Sequence, residues 1–321
     1  MISTPNTVAI RSVVRSFLAQ HEAGDCILVA VSGGADSLAL AHAISKEALL
    51  LSIKVIGVTI DHQLQSGSGE QAKKVIAELD KMGITENEIA KVKVEITEGL
   101  EASARSARYE ALEKIAQKFN AVAIYLGHTR DDQSESVLLG LARGSGTRSL
   151  SAMASINGKY IRPLLSITRI ETLGLCAESD ISPWMDPHNF DLQFTRVRVR
   201  TDVLPNLEKN LGPGISEALA RSAHLLRDDA DALDAWAENE IASMDLSNLE
   251  CEVLAALPRA IRTRIIRRAI YSAGAPSGSL SADHVSAVEA LVTSWSGQGA
   301  AHLPGGVKVS RLSGRLSLLQ D

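Results

Sequence analysis

The sequence lacks the features of a disulfide-stabilised or membrane-embedded protein. Its 321 residues include three cysteines, Cys26, Cys176 and Cys251, which lie far apart and predict neither a disulfide framework nor a Cys-x-x-Cys site. No apolar run approaches the ~18 residues of a membrane span. The first residues, interrupted by Pro5 and Arg11, lack the apolar core of a signal peptide. We therefore expect a cytoplasmic protein that does not contact a membrane.

An excess of positive charge is also missing. The chain carries 33 Lys and Arg against 38 Asp and Glu, a formal net charge of −5. This balance excludes a protein that coats nucleic acid by bulk charge, so any RNA contact must come from local basic patches. With 45% apolar residues, the composition is that of an ordinary globular protein, and the length predicts about two domains.

Short apolar runs alternate with longer amphipathic stretches in the first half of the chain. Near-continuous apolar runs predict strands buried on both faces, and helical periodicity follows each of them. The predicted strands are 26–31, 54–60, 91–96 and 121–127, and the predicted helices are 37–50, 70–83, 101–119 and 132–143. This order predicts an α/β fold, a parallel sheet with helices on both faces, whose ligand site lies at the carboxyl ends of the strands.

The pattern changes after Leu211-Gly212-Pro213, where we place a domain boundary. Before it, helix 168–178 precedes the basic alternation Arg196–Arg200, which fits either a strand or a helix. After it, a long helix with an acidic run is predicted over 215–243 and an arginine-rich helix over 259–272. Turn signals in the tail predict a short β-meander. The sequence thus predicts one domain over 1–212 and a smaller, mainly helical domain over 213–321.

The segment Ser32–Ser37, SGGADS, joins the first predicted strand to the first predicted helix. Its glycines let backbone N–H groups approach an anion, and the helix N-terminus adds partial positive charge. Asp36 would repel a phosphate unless Mg²⁺ lies between them. Neither the P-loop pattern, with its lysine, nor GxGxxG is present. The segment predicts a phosphate site without a lysine of its own; a capped strand-to-helix turn is the alternative.

A second polar loop, GHTRDDQSES, follows the fourth predicted strand. Asp131, Asp132 and Glu135 lie close enough on the helix that begins there to form one carboxylate cluster. The structural alternative is helix capping, because Thr129-x-x-Asp132 and Asp132-x-x-Glu135 both have capping-box spacing. Capping does not explain why the three acids gather beside His128 at a ligand-binding edge.

These motifs carry a resemblance to a known family. SGGADS matches the SGGxDS signature of the PP-loop N-type ATP pyrophosphatases. Four longer segments, 29–40, 100–112, 127–153 and 184–207, together resemble the tRNA(Ile)-lysidine synthetases, and the tail LPGGVKVSRLSGRLSL is similar to the end of that family's first C-terminal domain. The sequence departs from the family at Thr129, where a second histidine is common, and at Val197, where asparagine is common.

The resemblance implies a carbon–nitrogen ligase that forms AMP. Enzymes of this family use ATP to adenylate the C2 oxygen of the wobble cytidine in an isoleucine tRNA with a CAU anticodon, and the ε-amine of free L-lysine then displaces AMP to give lysidine. The implied co-substrate is ATP, with Mg²⁺ near Asp36. The implied partners are that tRNA and lysine, and a homodimer is one candidate assembly.

The same resemblance implies site residues. The ATP and pyrophosphate site takes Ser32, Gly33, Gly34, Ala35, Asp36, Ser37, His128, Arg143 and Gly144. The catalytic set takes Asp36, Asp131, Asp132, Glu135 and Arg105. The tRNA-binding set takes Arg108, Arg196, Arg198, Arg200, Arg259, Arg262 and Arg267. Pairing of the arginine-rich helix with the acidic run 228–240 remains an alternative to tRNA contact.

The protonation state of lysine explains why the reaction would need a cluster of carboxylates. With a pKa of about 10.4, the amine is protonated at pH 7, and freeing it costs about 4–5 kcal/mol. A carboxylate cluster that grips the ammonium group and then accepts a proton meets this need. If Glu135 belongs to that cluster, Glu135→Gln should weaken lysine use more than ATP–pyrophosphate exchange.

Three rival functions are open to the sequence. A tRNA thiolase needs paired or persulfide-bearing cysteines, which the spacing of the three cysteines does not supply. A catalytically silent nucleotide- or RNA-binding module would have no reason to keep carboxylates that repel phosphate. An enzyme that amidates a small molecule would turn over ATP without RNA.

Overall fold

The computed structural model describes residues 4–61, 63, 67–92, 100–276 and 278–320. The chain divides into two compact units, Met1–Leu225 and Leu226–Asp321. The division falls inside a long helix, Ile215–Ile241, rather than at Gly212. None of the helices in the described ranges is long and apolar enough to cross a membrane.

The first unit is built around a six-stranded sheet. Its strands are β1 (Cys26–Ala30), β2 (Lys54–Asp61), β3 (Asn87–Lys91), β4 (Ala123–Leu126), β5 (Ile156–Asn157) and β6 (Tyr160–Ile161). Their spatial order is β3-β2-β1-β4-β6-β5, and all neighbours are parallel except β5 and β6. The chain order reverses at β1, which has β2 on one side and β4 on the other. Such a switch point is where ligands bind on open α/β sheets.

Helices cover both faces of this sheet. They are α1 (Pro5–Leu18), α2 (Ala35–Leu50), α3 (Ser68–Met82), α4 (Leu100–Lys118), α5 (Arg130–Ala142), α6 (Thr147–Leu150), α7 (Arg169–Glu178), α8 (Thr195–Arg198) and α9 (Leu204–Leu211). Side chains of β1 alternate between two buried cores. Ile27 and Val29 pack with the apolar sides of α1 and α2, whereas Leu28 packs with Leu112 of α4. This alternation confirms the predicted layering.

Helix α1 is tied to α2 by charge as well as by apolar packing. Glu47 of α2 is 0% exposed, and its carboxylate accepts hydrogen bonds from Nε of Arg11 and Nε of Arg15, each at 2.6 Å. Burial opposes the charge of Glu47, but the two guanidinium groups outweigh it and lower its pKa. The sequence pattern did not predict this helix.

The second unit has its own core. Helix α10 (Ile215–Ile241) leads into β7 (Asn248–Glu250), α11 (Cys251–Ala256), α12 (Arg259–Ser272), α13 (Ala282–Thr293), β8 (Ala301–His302), β9 (Val307–Leu312) and β10 (Arg315–Gln320). The last three strands form the predicted antiparallel meander, and β7 joins its edge in the order β7-β10-β9-β8. Apolar faces of α12 and α13 pack on this sheet.

Two local predictions need correction or completion. The strand predicted at 91–96 is found as β3 at Asn87–Lys91, and 93–96 lie outside the described residues. The basic alternation Arg196–Arg200, open between strand and helix, is helical: α8 continues through a π-helical turn, Val199–Val203, into α9.

Candidate active site

A cavity of about 520 Å³ opens where β1 and β4 end. Residues of the SGGADS segment form one wall, and residues that follow β4 form another. The predicted site residues that line it are Ser32, Gly34, Ala35, Asp36, Ser37, His128, Asp132, Arg108 and Arg200. The sheet therefore brings together motifs that are about 100 residues apart in the sequence, as expected for a switch point.

The SGGADS turn is held by its own hydroxyl groups. The backbone N–H of Ser32 donates to Oγ of Ser37 at 3.1 Å, and that hydroxyl donates to the carbonyl of Gly34 at 3.0 Å. Gly33 has φ +89°, and a Cβ there would lie 2.9 Å from Val75. Glycine is therefore required at 33 by backbone angle and by space. The turn delivers the first residues of α2 to the cavity.

Gly127 lets the end of β4 approach the start of α2. A Cβ at this position would lie 2.9 Å from Cα of Ser37 and 3.0 Å from the carbonyl carbon of Asp36. Both contacts are with backbone, which cannot move aside as a flexible side chain can. The absence of a side chain at 127 therefore sets the spacing between the two walls of the cavity.

Asp36 lies in the cavity wall but already has partners. Its carboxylate accepts hydrogen bonds from Nη2 of Arg169 at 2.8 Å and from the hydroxyl of Thr172 at 2.5 Å. Burial raises the pKa of Asp36 above its usual value, although Arg169 and Thr172 favour the charged form. Both partners come from α7, which the sequence analysis did not connect with the site.

Asp132 is the second carboxylate that lines the cavity. It accepts hydrogen bonds from the backbone N–H of Thr129 at 2.8 Å and from the Thr129 hydroxyl at 3.2 Å. The capping box considered from the sequence is therefore present. Burial opposes the charge of Asp132, but the Thr129 N–H and nearby arginines lower its pKa, so it is ionised at pH 7.

His128 contributes a neutral ring to the cavity. Its Nδ1 atom is buried and has no hydrogen-bond partner among the described residues. Burial lowers the pKa of the imidazole to about 3. At neutral pH the ring can therefore donate or accept a hydrogen bond but carries no positive charge for a phosphate.

We expect His128 to remain unprotonated at pH 5.5, because its folded-state pKa lies far below the unfolded value of about 6.5. As the pH falls below about 6.5, the unfolded chain takes up a proton that the folded chain does not, so this group makes folding less favourable toward acid. Imidazole ¹⁵N shifts would measure its protonation, and melting temperatures at pH 7 and 5.5 would measure the linkage. The decrease in melting temperature from pH 7 to pH 5.5 should be smaller in His128→Gln than in wild type. In His302→Gln, a substitution at an exposed site, it should equal that of wild type. A His128 resonance titrating near pH 6.5 would contradict this.

Asp131 and Glu135 do not line the cavity, and Glu135 shares the guanidinium of Arg200 with Asp132, so a common catalytic role of the three acids stays a prediction. Asp131 accepts a hydrogen bond from the backbone N–H of Arg169 at 2.8 Å and thereby caps α7. Glu135 is 0% exposed. Its carboxylate accepts hydrogen bonds from Nε of Arg196 at 2.9 Å and from Nε of Arg200 at 2.6 Å. Both acids hold neighbouring helices in place.

Two arginines of α4 separate into different environments. Arg108 lines the cavity, and no carboxylate of the described residues pairs with it. Burial lowers the pKa of its guanidinium, which nevertheless stays charged at pH 7. Arg105, predicted as catalytic, lies outside the cavity wall, and its guanidinium stacks 5.0 Å above the ring centroid of Tyr109. Arg108 is therefore the better candidate for contact with a phosphate.

Other predicted binding residues are not where the sequence analysis put them. Arg143 and Gly144 lie exposed beyond the end of α5 and do not line the cavity. Arg196 and Arg200 are paired with Glu135, and Arg198 donates to the carbonyls of Leu192 and Gln193. These three guanidinium groups are engaged within the protein, and their contact with tRNA phosphates stays a prediction.

The sequence analysis missed several cavity residues, among them Arg169 and Trp184. Trp184 lies next to the SGGADS turn, because its backbone N–H donates to the carbonyl of Gly33 at 2.8 Å. Neither residue lies in a glycine-rich or acidic motif. The available sequence signal for Arg169 was its position at the start of a predicted helix, within the capping-box pattern Thr168-x-x-Glu171.

The three cysteines are free, and Cys176 and Cys251 are buried. In the described part of the chain, no group of three or more His, Cys, Asp or Glu residues could hold a metal ion. Cys176 is buried, and burial raises the pKa of its thiol to about 12, so it is not a thiolate at neutral pH.

Comparisons with known proteins agree with this architecture. The family model of the PP-loop domain matches residues 6–207, and that of the TilS substrate binding domain matches 249–317. The tRNA(Ile)-lysidine synthase of Thermobifida fusca (strain YX) is 50% identical over 319 residues, covering 99% of this chain and 98% of the relative. That of Streptomyces coelicolor is 51% identical over 299 residues, covering 92% and 85%.

A solved structure shares the fold at much lower identity. The U34-tRNA thiolase NcsA from Methanococcus maripaludis superimposes with a TM-score of 0.59 at 19% identity, over 69% of this chain and 79% of the thiolase. This similarity concerns the fold alone. From the family models and from relatives that match it almost end to end, we conclude that the chain belongs to the tRNA(Ile)-lysidine synthase family.

Proposed function

We propose that this protein uses ATP to ligate free L-lysine to C2 of the wobble cytidine of an isoleucine tRNA with a CAU anticodon. The C2 oxygen attacks the α-phosphorus of ATP and pyrophosphate leaves. The ε-amine of lysine then attacks C2, AMP leaves with the oxygen, and the ammonium proton passes to a base. The observation that carries the proposal is the cavity where the SGGADS turn meets Asp132, His128 and Arg108.

The walls of the cavity suit a nucleotide phosphate. The turn offers backbone N–H groups and the hydroxyls of Ser32 and Ser37 at the N-terminus of α2, whose partial positive charge favours an anion. Arg108 and Arg169 add full charges. These groups stabilise the charge that builds up at phosphorus as pyrophosphate departs.

The residues also fit a Mg²⁺ ion that arrives with ATP. Mg²⁺ in nucleotide sites usually takes one or two carboxylates, with phosphate oxygens and waters as its other ligands. Asp36 lines the cavity and is the residue that would hold it. An ion bound there would neutralise phosphate charge. The described residues offer no all-protein metal cage, which agrees with an ion brought by the nucleotide.

Asp132 is our candidate for the lysine step. Of the three acids at the start of α5, it alone lines the cavity, and its lowered pKa keeps it charged and able to attract an ammonium group. Removing the proton from lysine costs about 4–5 kcal/mol at pH 7, so a carboxylate next to the amine lowers the barrier by accepting that proton. Asp131 and Glu135 are engaged elsewhere and leave this role to Asp132.

Ion pairs within the second unit reduce the number of arginines on α12 that are candidates for tRNA contact. Arg262 is buried and donates to Glu289, which also accepts from Arg259. Arg264 is paired with Asp234 at 2.6 Å, as the acidic-run alternative predicted. Arg267 is exposed and pairs with no carboxylate of the described residues. Its guanidinium is the one in the predicted tRNA-binding set of α12 that is free for a phosphate.

We expect Arg267→Ala to weaken tRNA binding and to reduce the slope of log K against log salt by about 1, the effect of losing one phosphate contact. Filter binding at several salt concentrations would measure the slope. Arg264→Ala is the matched comparison on the same helix, because its guanidinium is committed to Asp234. Equal slopes for wild type and Arg267→Ala would remove Arg267 from the interface.

The proposed reaction is tested by AMP release from labelled ATP. AMP should accumulate only when the CAU-bearing isoleucine tRNA and lysine are both present, with one lysine linked per AMP, whereas pyrophosphate release during adenylation should need the tRNA but not lysine. Turnover without RNA would point to amidation of a small molecule. Absence of any turnover, with ATP and tRNA both bound, would point to a silent binding module.

A further inference from the structure

Arg169 occupies a position for which the sequence motifs give no explanation. It is the first residue of α7, lies outside the segments that resemble the family, and lines the cavity. Its Nη2 donates to Oδ2 of Asp36 at 2.8 Å, and its side chain keeps 33% of its exposure. A cation is thus placed directly on the acidic residue of the SGGADS turn, with part of its surface open to the cavity.

The backbone of Arg169 is held in place by hydrogen bonds, whereas its side chain is partly exposed. Its N–H donates to Asp131 at 2.8 Å, and Thr168 and Glu171 form a capping box around the same turn of α7. Thr172, one turn further on, donates its hydroxyl to Asp36. Because the helix start is held by three separate contacts, the guanidinium can change its partner while the main chain stays in place.

The SGGADS turn brings no cation of its own to the cavity, so the phosphates of ATP depend on arginines of other elements, of which Arg108 is one. The segment Ser32–Ser37 contains no lysine. The guanidinium of Arg200 is committed to Glu135 at 2.6 Å, and His128 is neutral. Asp36 repels phosphate unless its charge is balanced. A guanidinium that already balances Asp36 can donate two parallel hydrogen bonds to phosphate oxygens, a geometry that arginine provides and lysine does not.

We propose that Arg169 binds the phosphates of ATP and supplies the cation that the SGGADS turn lacks. In the nucleotide-free protein it neutralises Asp36; when ATP enters, the guanidinium transfers to phosphate oxygens and frees the Asp36 carboxylate. This inference rests on the proposed function, since it assumes that the cavity takes ATP. A purely structural Arg169 would only hold α7 against α2.

Affinities for Mg·ATP and for adenosine separate the two roles, because adenosine lacks the phosphates. In Arg169→Gln the Kd for Mg·ATP should rise about 10–100-fold, the loss of charge-assisted hydrogen bonds, with adenosine affinity unchanged within twofold. Arg169→Lys should keep a larger preference for Mg·ATP over adenosine than Arg169→Gln. Arg221→Ala is the control, since Arg221 is an exposed helical residue paired with Glu217.

The outcomes are distinct. Equal losses of Mg·ATP and adenosine affinity in Arg169→Gln would assign Arg169 a structural role and overturn the inference, as would an unchanged Kd for Mg·ATP. If Arg169→Gln does not fold, Arg169→Lys decides: a preference for Mg·ATP over adenosine below that of wild type supports the inference, because lysine cannot form the two parallel hydrogen bonds, and an unchanged preference overturns it. A wild-type protein that binds no ATP would instead remove the proposed function.

Discussion

Replacing Glu135 with glutamine is expected to lower the free energy of unfolding by about 3 kcal/mol, because it leaves two arginine charges without their carboxylate. Removing one partner of a buried ion pair costs about 3–5 kcal/mol. The lower end applies here, since the side chains of Arg196 and Arg200 retain 28% and 24% of their exposure while that of Glu135 retains none. For a unit of this size, the melting temperature should fall by about 6–12 °C.

The place of Glu135 also changes the expected effect on activity. The sequence suggested that Glu135→Gln would weaken lysine use more than ATP–pyrophosphate exchange. In the structure the carboxylate is not in the cavity but fixes Arg196 and Arg200, and Arg200 lines the cavity. Both partial reactions should therefore decline together, whereas Asp132→Asn should affect lysine use more than ATP–pyrophosphate exchange.

Thermal unfolding followed by circular dichroism, with both partial reactions assayed on the same preparations, would measure these effects. Glu110→Gln is the matched control, because its partner Lys114 and Glu110 itself are largely exposed on α4, and its melting temperature should equal that of wild type. A Glu135→Gln protein with wild-type stability and a selective lysine defect would restore the lysine-binding interpretation and refute ours.

Gly127→Ala is expected to slow adenylation by about 100-fold, an effect typical of shifting reacting groups by about 1 Å. The added methyl group would meet the backbone of Asp36 and Ser37 at 2.9–3.0 Å, so β4 and the start of α2 must separate. Overpacking of this kind also costs about 1–3 kcal/mol of stability. The phosphate turn and the acids of α5 would then no longer share the spacing that the reaction needs.

The measurement is ATP–pyrophosphate exchange in the presence of tRNA, together with the melting temperature. Gly299→Ala is the control, because a Cβ there would meet nothing within 4 Å and its φ is not positive. Exchange at the wild-type rate in Gly127→Ala would mean that the close approach of the two walls has no bearing on the chemistry.

The fold could be predicted from the sequence wherever residues were buried on a regular period. The strand before SGGADS and the helix after it were predicted to within a few residues because their apolar patterns are unbroken. The strand β3 was not predicted at Asn87–Lys91 because it lies at the edge of the sheet and is only partly buried, so the sequence NEIAK has a weaker apolar pattern.

The sequence predicted where three acids lie along one helix but not what each of them contacts. Spacing placed Asp131, Asp132 and Glu135 on one helix, and that much is true. Their partners decide what each does, and those partners, Arg169 and Arg200 among them, come from helices 38 and 65 residues further along the chain. Spacing along one helix carries no information about contacts at such separations.

The arginines of α12 show the same limit of sequence-based prediction, because their partners also lie far away in the sequence. An unbroken series of basic residues on α12 predicted an RNA-binding surface, yet Arg262 and Arg264 are neutralised by Glu289 and Asp234, 27 and 30 residues away. Local charge density therefore overestimated the basic surface. Only the exposed Arg267 retains the predicted character.

The ion pairs between α1 and Glu47 of α2 limit how far the protein can be shortened from its N-terminus. Removal of Pro5–Leu18, by a protease or by a later start codon, would leave the buried carboxylate of Glu47 without Arg11 and Arg15. It would also expose the apolar residues against which the buried Ile10 packs. Helix α1 is thus an integral part of the first unit, held to α2 by two ion pairs and by apolar packing. A purification handle belongs ahead of it, never in its place.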